Sequence, residues 1–235
     1  MKQLFRNKLF APHGALAFSC GILFKGLALS LSMGLSSLFT FTACSDDDDD
    51  STYPPVITEL VEIHTNRDAL VTEILSDDGT IYTSNQRIEA AQPDTLFRCL
   101  CVYTKQADNR IEVYQLQRVS APLPATPENF EELPTDPVKF ISTWNTSRYL
   151  NLSCGILTTG VGTHALGFCD DGITEENGLQ TAHVRLLHQR PKGDAESFTQ
   201  KVFVCLPAFR YAGLADSIAL TIPIYEGNRT LGFRF

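Results

Sequence analysis

Ser217-Ile218-Ala219-Leu220-Thr221-Ile222-Pro223-Ile224-Tyr225, followed by Glu226-Gly227-Asn228 and Thr230 to Phe235, decides the fold class. Ile218, Leu220, Ile222 and Ile224 recur with period two, so they fall on one face of an extended strand. Glu226-Gly227-Asn228 then turns the chain into a last strand. Proline lacks the N–H that a ladder needs, so Pro223 is expected at a sheet edge or a bulge. Upstream, Thr199 to Leu206, Thr181 to His188, Thr163 to Phe168, Tyr149 to Cys154 and Pro137 to Trp144 read as further strands. Gly155, Gly160, Gly162 and Asp170-Asp171-Gly172 punctuate them. About seven strands with turns at short intervals predict a β-sandwich over residues 137–235.

Residues 121–136 hold Pro122, Pro124, Pro127 and Pro134 with Glu128, Glu131, Glu132 and Asp136. Each proline fixes φ and removes a donor, so the stretch is expected to be a linker. Residues 57–120 read as a small β domain. Ile57 to Ile63 alternates apolar and polar, and Ser76-Asp77-Asp78-Gly79 sits between Ala69 to Leu75 and Thr80 to Thr83 as a hairpin turn. Leu96 to Tyr103 and Ile111 to Val119 pair across Ala107-Asp108-Asn109. Such a set is compatible with a partly open, OB-like barrel, making the expected chain all-β throughout.

The N-terminal part says where the protein goes. Residues 1–43 carry Lys2, Arg6, Lys8 and Lys25 and no acidic residue, with an apolar run from Gly26 to Phe41. That is a signal peptide profile, and the run is shorter than the roughly 20 residues a spanning helix needs. Phe41-Thr42-Ala43-Cys44 resembles the lipobox of bacterial lipoproteins, which implies acylation of Cys44 (palmitate among the acyl chains) and anchoring in the membrane. Residues 44–56 are then an acidic tether. Its run Ser45, Asp46, Asp47, Asp48, Asp49, Asp50 resembles the export signal that sends some lipoproteins to the outer face of the outer membrane. The alternative for this run is a solvated spacer held extended by like-charge repulsion.

All 27 acidic residues and 15 of the 19 basic ones follow Cys44. A chain this acidic, with no basic stretch, lacks the phosphate-binding term of nucleic-acid recognition. Past Cys44 the cysteines are Cys99, Cys101, Cys154, Cys169 and Cys205, an odd number. Disulfides persist in an exported protein, but Cys99 and Cys101 share one strand face, and small buried hydrophobes are the favoured reading.

The succession of lipobox, acidic tether, small β domain and proline linker is followed by Asp136-Pro137-Val138, Trp144, Tyr149-Leu150-Asn151-Leu152 and Asp216-Ser217-Ile218. Together these resemble the NigD-like lipoproteins. The resemblance implies an N-terminal OB-like domain, a C-terminal β-sandwich and a link to bacteriocin immunity, and it brings no catalytic residues.

No nucleophile elbow, zinc-protease motif, phosphate loop or EF-hand loop occurs. His183 and His188 are an odd spacing apart and fall on opposite strand faces, while His64 and His164 are isolated in sequence. Asp77-Asp78-Gly79 and Asp170-Asp171-Gly172 offer oxygen ligands of the type calcium takes, with Glu175-Glu176 beside the second, but Asp-Gly is also what a turn requires. No metal or cofactor is expected. Trp144 and Tyr149 are the candidate aromatic platform for a sugar or protein partner, against a core role. Ser51, Thr95 and Ser217, each after an aspartate, match a short bacterial O-glycosylation pattern; the sequons at Asn145, Asn151 and Asn228 carry no weight. The expected function is non-enzymatic binding or protection at the cell surface, with bacteriocin immunity as its specific form. The alternatives are a glycan-binding or structural envelope accessory, or a hydrolase whose site is assembled across domains.

Overall fold

A computed structural model describes residues 55–235. The signal peptide, Cys44, the Ser45 to Asp50 run and Ser51 lie outside the described residues. The chain is all-β. Five strands come first: β1 (Val56–Thr65), β2 (Val71–Ser76), β3 (Ile81–Tyr82), β4 (Leu96–Lys105) and β5 (Ile111–Arg118). They form one sheet of order β3-β2-β1-β4-β5. It is not a closed barrel. Its edges meet only just past β3, where Thr83 N donates to Asn109 O and Ile111 N donates to Thr83 O. Val61, Ile63, Ile74, Phe97, Cys99, Cys101, Tyr103 and Ile111 fill its concave side.

Seven strands follow: β6 (Lys139–Asn145), β7 (Tyr149–Thr158), β8 (Ala165–Glu176), β9 (Leu179–Gln189), β10 (Phe198–Pro207), β11 (Ser217–Ile224) and β12 (Gly227–Arg234). They make two sheets, β10-β7-β6 and β12-β11-β9-β8. Between them lie Leu150, Leu152, Cys154 and Ile156 of β7, Ala182, Val184 and Leu186 of β9, and Ile218, Leu220 and Ile222 of β11. Each set has period two, which is how a strand presents one face to a core. β9 and β11 run parallel. A parallel pair needs a crossover, and β10, lying in the opposite sheet, is part of it.

Two local expectations are corrected. Asp170-Asp171-Gly172 does not turn the chain: β8 runs through it with a register shift between Asp170 and Gly172. Gly172 has φ +101°, so the left-handed residue makes a bulge. The hairpin turn comes later, at Asn177-Gly178, both with positive φ, as a two-residue primed turn requires. Pro223, for its part, lies in a strand with neighbours on both sides. β9 pairs only with Ser217 to Thr221, so Pro223 sits beyond that ladder, where its carbonyl accepts from Val138 N.

The proline-rich stretch 121–136 lies along the sandwich as a strap. Ala125 exchanges hydrogen bonds with β8 at Phe168 and Asp170, and Pro134 and Asp136 do so with His188 of β9. At β8, the outer strand of its sheet, this covers an edge and blocks pairing with other chains.

Gly155 is a point where the packing of β7 against β10 leaves no room. A Cβ there would stand 2.6 Å from Thr199 Cγ2. Gly155→Ala is therefore expected to destabilise the fold by about 1–3 kcal/mol in denaturant unfolding, and adding Thr199→Ser, which removes only the methyl, to recover most of the loss.

Candidate functional site

Three groups of side chains have the chemistry of a site, and the first lies where the five-stranded sheet meets the sandwich. Glu62 of β1 is 2% exposed, and its carboxylate accepts from Tyr149 Oη at 2.5 Å and Arg148 Nη2 at 3.3 Å, with His64 Nε2 at 3.2 Å. Beside it, Arg98 of β4 donates to Asp77 Oδ2 at 2.6 Å and Asn151 Oδ1 at 3.1 Å, and Asn151 Nδ2 donates to Asp77 at 3.3 Å. The Arg98 guanidinium stands 4.4 Å from the centre of the Tyr149 ring. Burial raises the Glu62 carboxyl, but the hydrogen bonds from Tyr149 and His64 and the Arg148 charge outweigh it, leaving the group below its usual value. Burial and the Glu62 charge push the Tyr149 phenol up.

The charges in this cluster are matched: Arg148 with Glu62 and Arg98 with Asp77. The cleft they leave measures about 30 Å³, room for a water or two and not for a substrate. The arrangement is a polar clamp between sheets. Its one sequence signal is Glu62 itself, which shares a strand face with the buried Leu60.

Tyr149, 6% exposed, therefore belongs to the clamp and not to an exposed platform. Its ring contact is Phe209. Trp144, 37% exposed, instead meets Phe203 edge-on at 6.4 Å, with Lys201 Nζ 5.0 Å from the Phe203 ring centre. Strand pairing explains the exchange. Trp144 is opposite Asn151, which is opposite Cys205, so Phe203 lies one step along the same face, whereas Tyr149 sits at the strand end against Leu60 and Val119. The ridge is thus Trp144 and Lys201, both exposed, with the half-buried Phe203 beside them. Thr95 and Ser217 are both half-buried and both hydroxyls are engaged, with Pro93 O at 2.7 Å and Thr181 Oγ1 at 3.0 Å.

The third group could not be anticipated from spacing. His164 Nδ1 lies 2.8 Å from His188 Nε2, and His164 Nε2 lies 2.8 Å from Asp194 Oδ2. His188 Nδ1 faces Asp136 O at 3.0 Å. Thr158 Oγ1 and Thr159 N and Oγ1 donate to the Asp194 carboxylate, and these bonds with the one from His164 hold the carboxyl far below its usual value. A carboxylate, two imidazoles and two hydroxyls suggest nucleophilic catalysis, but the geometry is closed. Every ring nitrogen already has a partner, the hydroxyls face the carboxylate and not an imidazole, and the His164 and Asp194 side chains are 5% and 0% exposed. A base needs a free nitrogen within reach of a nucleophile. Among the described residues no group of three or more His, Cys, Asp or Glu side chains is placed to hold a metal ion. His183 lies on the opposite face of β9 from His188, with its Nε2 2.8 Å from Thr174 Oγ1.

Cys99, Cys101, Cys154, Cys169 and Cys205 are all free and buried. Burial pushes the Cys99 and Cys154 thiols up to about 12 and those of Cys101, Cys169 and Cys205 up to about 11. The thiolate is the reactive form.

No family model matches the chain, and no curated protein sequence does. Solved structures match its fold. A NigD-like immunity protein from Bacteroides caccae aligns over 77% of this chain and 93% of its own, with 23% identity and a TM-score of 0.59. A protein of unknown function from Bacteroides vulgatus aligns over 77% and 91%, with 15% identity and a TM-score of 0.60. A candidate lipoprotein from Bacteroides fragilis aligns over 77% and 96%, with 14% identity and a TM-score of 0.52. The chain has the fold of these proteins, and the NigD-like architecture expected from the sequence is met at that level.

Two measurements follow from the cluster chemistry. Tyr149→Phe keeps the ring contacts but leaves Glu62 short of a donor, so unfolding free energy should fall by about 1–3 kcal/mol. A thiol-labelling reagent at pH 8 should modify none of the five cysteines of β4, β7, β8 and β10 in the folded protein and all five after denaturation, read by mass spectrometry.

Proposed function

We propose that this chain is a non-enzymatic lipoprotein of the bacterial envelope that acts by binding, with bacteriocin immunity as its specific role. The observation that carries this reading is the shared fold with a NigD-like immunity protein over 93% of that protein. One feature supports it: the polar clusters that resemble catalytic sites are closed to substrate. On this reading Cys44, acylated in the manner of lipoproteins, attaches the chain, and the Ser45 to Asp50 run serves as the signal for the outer face of the outer membrane. A lipid anchor with more than one acyl chain gives stable membrane attachment. The partner is a protein toxin or a surface glycan, and nucleic acid is not among the candidates.

A second reading, glycan binding, rests on the exposed Trp144 and Lys201 with the half-buried Phe203 beside them. An aromatic edge beside a cation offers stacking and a hydrogen-bond donor to a sugar ring.

Both readings can be separated in cells. A strain lacking the protein, and the same strain complemented with wild type, Cys44→Ala or Trp144→Ala, would be challenged with bacteriocin-producing neighbours. Immunity requires the deletion strain to be killed at lower toxin doses and the wild type, but not Cys44→Ala, to restore resistance. Unchanged sensitivity in the deletion strain removes immunity. Glycan binding requires purified wild-type protein, but not Trp144→Ala, to be retained on surface polysaccharide from the same cells.

A further inference from the structure

The His164–His188 pair carries an argument that goes beyond the binding role. Three hydrogen bonds run in line, from Asp136 O to His188 Nδ1 at 3.0 Å, from His188 Nε2 to His164 Nδ1 at 2.8 Å, and from His164 Nε2 to Asp194 Oδ2 at 2.8 Å. The two ends are a carbonyl and a carboxylate, which only accept. Each end bond therefore needs a hydrogen on the imidazole nitrogen, and the middle bond needs one more. Two neutral imidazoles carry two hydrogens between them; this chain of bonds uses three. With only two, a nitrogen lone pair would face another lone pair or an oxygen at 2.8–3.0 Å in a buried site.

We infer that His164 and His188 together hold one extra proton, neutralised by Asp194, and that this proton is a pH-dependent lock on one end of the sandwich. His164 is the member of the pair that touches the Asp194 carboxylate. His188 is the neutral partner: burial lowers its basicity, and the positive His164 beside it lowers it further. The other charged groups around the pair are already engaged. Asp136 Oδ2 accepts from Arg190 N at 2.7 Å, the Arg190 guanidinium is bonded to Glu196 at 2.5 Å, and Tyr225 Oη donates to Glu196 at 3.3 Å. What the proton joins is specific. Asp136 ends the strap, His164 ends the loop that follows β7, and Asp194 lies in the loop between β9 and β10, so the lock ties three segments distant in sequence.

The sign differs on the two sides of neutrality. Raising the pH removes the extra proton and breaks the central N···N bond, which loosens the loop of residues 159–164 at its His164 end while Thr159 stays bonded to Asp194. Lowering it acts through His188. Its folded value lies below that of the unfolded chain, so the stability it contributes is present above about pH 6.5 and is lost as pH falls below that.

The test uses the full chain in detergent micelles with 15N-labelled histidine, and long-range proton–nitrogen correlation spectra from pH 5 to 10. The expected result at pH 7 is three protonated ring nitrogens in this pair, with the third hydrogen leaving as pH rises and amide exchange in residues 159–164 accelerating over the same interval. Asp194→Asn removes the neutralising charge and should weaken the affinity for the extra proton about tenfold or more. One hydrogen on each ring at pH 7 in the wild type overturns the inference, and so does a third hydrogen whose loss leaves loop exchange unchanged. The wild-type spectra decide the matter even where Asp194→Asn does not fold.

Discussion

Strand β7 is covered on both faces, and the rest of the structure follows from that constraint. Of its residues only Leu157 is more than marginally exposed. One face, with Leu150, Leu152, Cys154 and Ile156, is the ordinary apolar side of a sandwich strand. The other carries Tyr149, Asn151, Ser153 and Gly155, of which Tyr149 and Asn151 are costly to bury without partners, while the Ser153 hydroxyl is buried with none among the described residues. The five-stranded sheet supplies those partners at one end, through Glu62 for Tyr149 and through Arg98 and Asp77 for Asn151. At the other end Gly155 leaves space for Lys139 and Thr199. Leu60, Val119 and Cys205 add apolar contact around the clamp. Burial drives the sheets together, while the matched charges fix where they meet, because an unpaired guanidinium in that position would be strongly destabilising.

Much of the fold was legible because it depends on period-two patterning. The β7, β9 and β11 sets that line the core are those that alternation places on one face, and Ser76-Asp77-Asp78-Gly79 turns where the sequence says it should, with Thr80 N capped by Asp78. What failed was local and had a backbone cause. An Asp-Gly pair supplies a left-handed residue but does not say whether it is used for a turn or for a bulge, and β8 uses Gly172 for a bulge. The proline rule was right about the missing donor and wrong about its consequence, since a strand can carry a ladder on both sides along part of its length and on one side along the rest.

The site was less legible than the fold. Tyr149 and Trp144 are close in sequence, and that closeness suggested a shared surface. They lie on the same face of their sheet, but Tyr149 sits at the β7 end that the clamp buries, whereas Trp144 stands on the outer strand β6, from which its ring reaches Phe203. Phe203 was readable as a face-mate of Lys201 and Cys205, but nothing in one strand's pattern says which strand lies beside it. His164, His188 and Asp194 come together only through the loops that follow β7 and β9, so no spacing rule reaches them.

The five free cysteines bear on where such a chain can work. Small exported domains lean on disulfides when their cores are too small to hold them together. Here 181 described residues enclose two substantial cores, so cross-links are not needed for stability. A free thiol in an oxidising compartment is nonetheless a hazard, because a thiolate that can be reached forms mixed disulfides. Burial answers this twice, by withholding access and by holding each thiol protonated. These thiols are thus kept inert by the packing that makes the fold, so the envelope location proposed for the chain requires no separate protection of them.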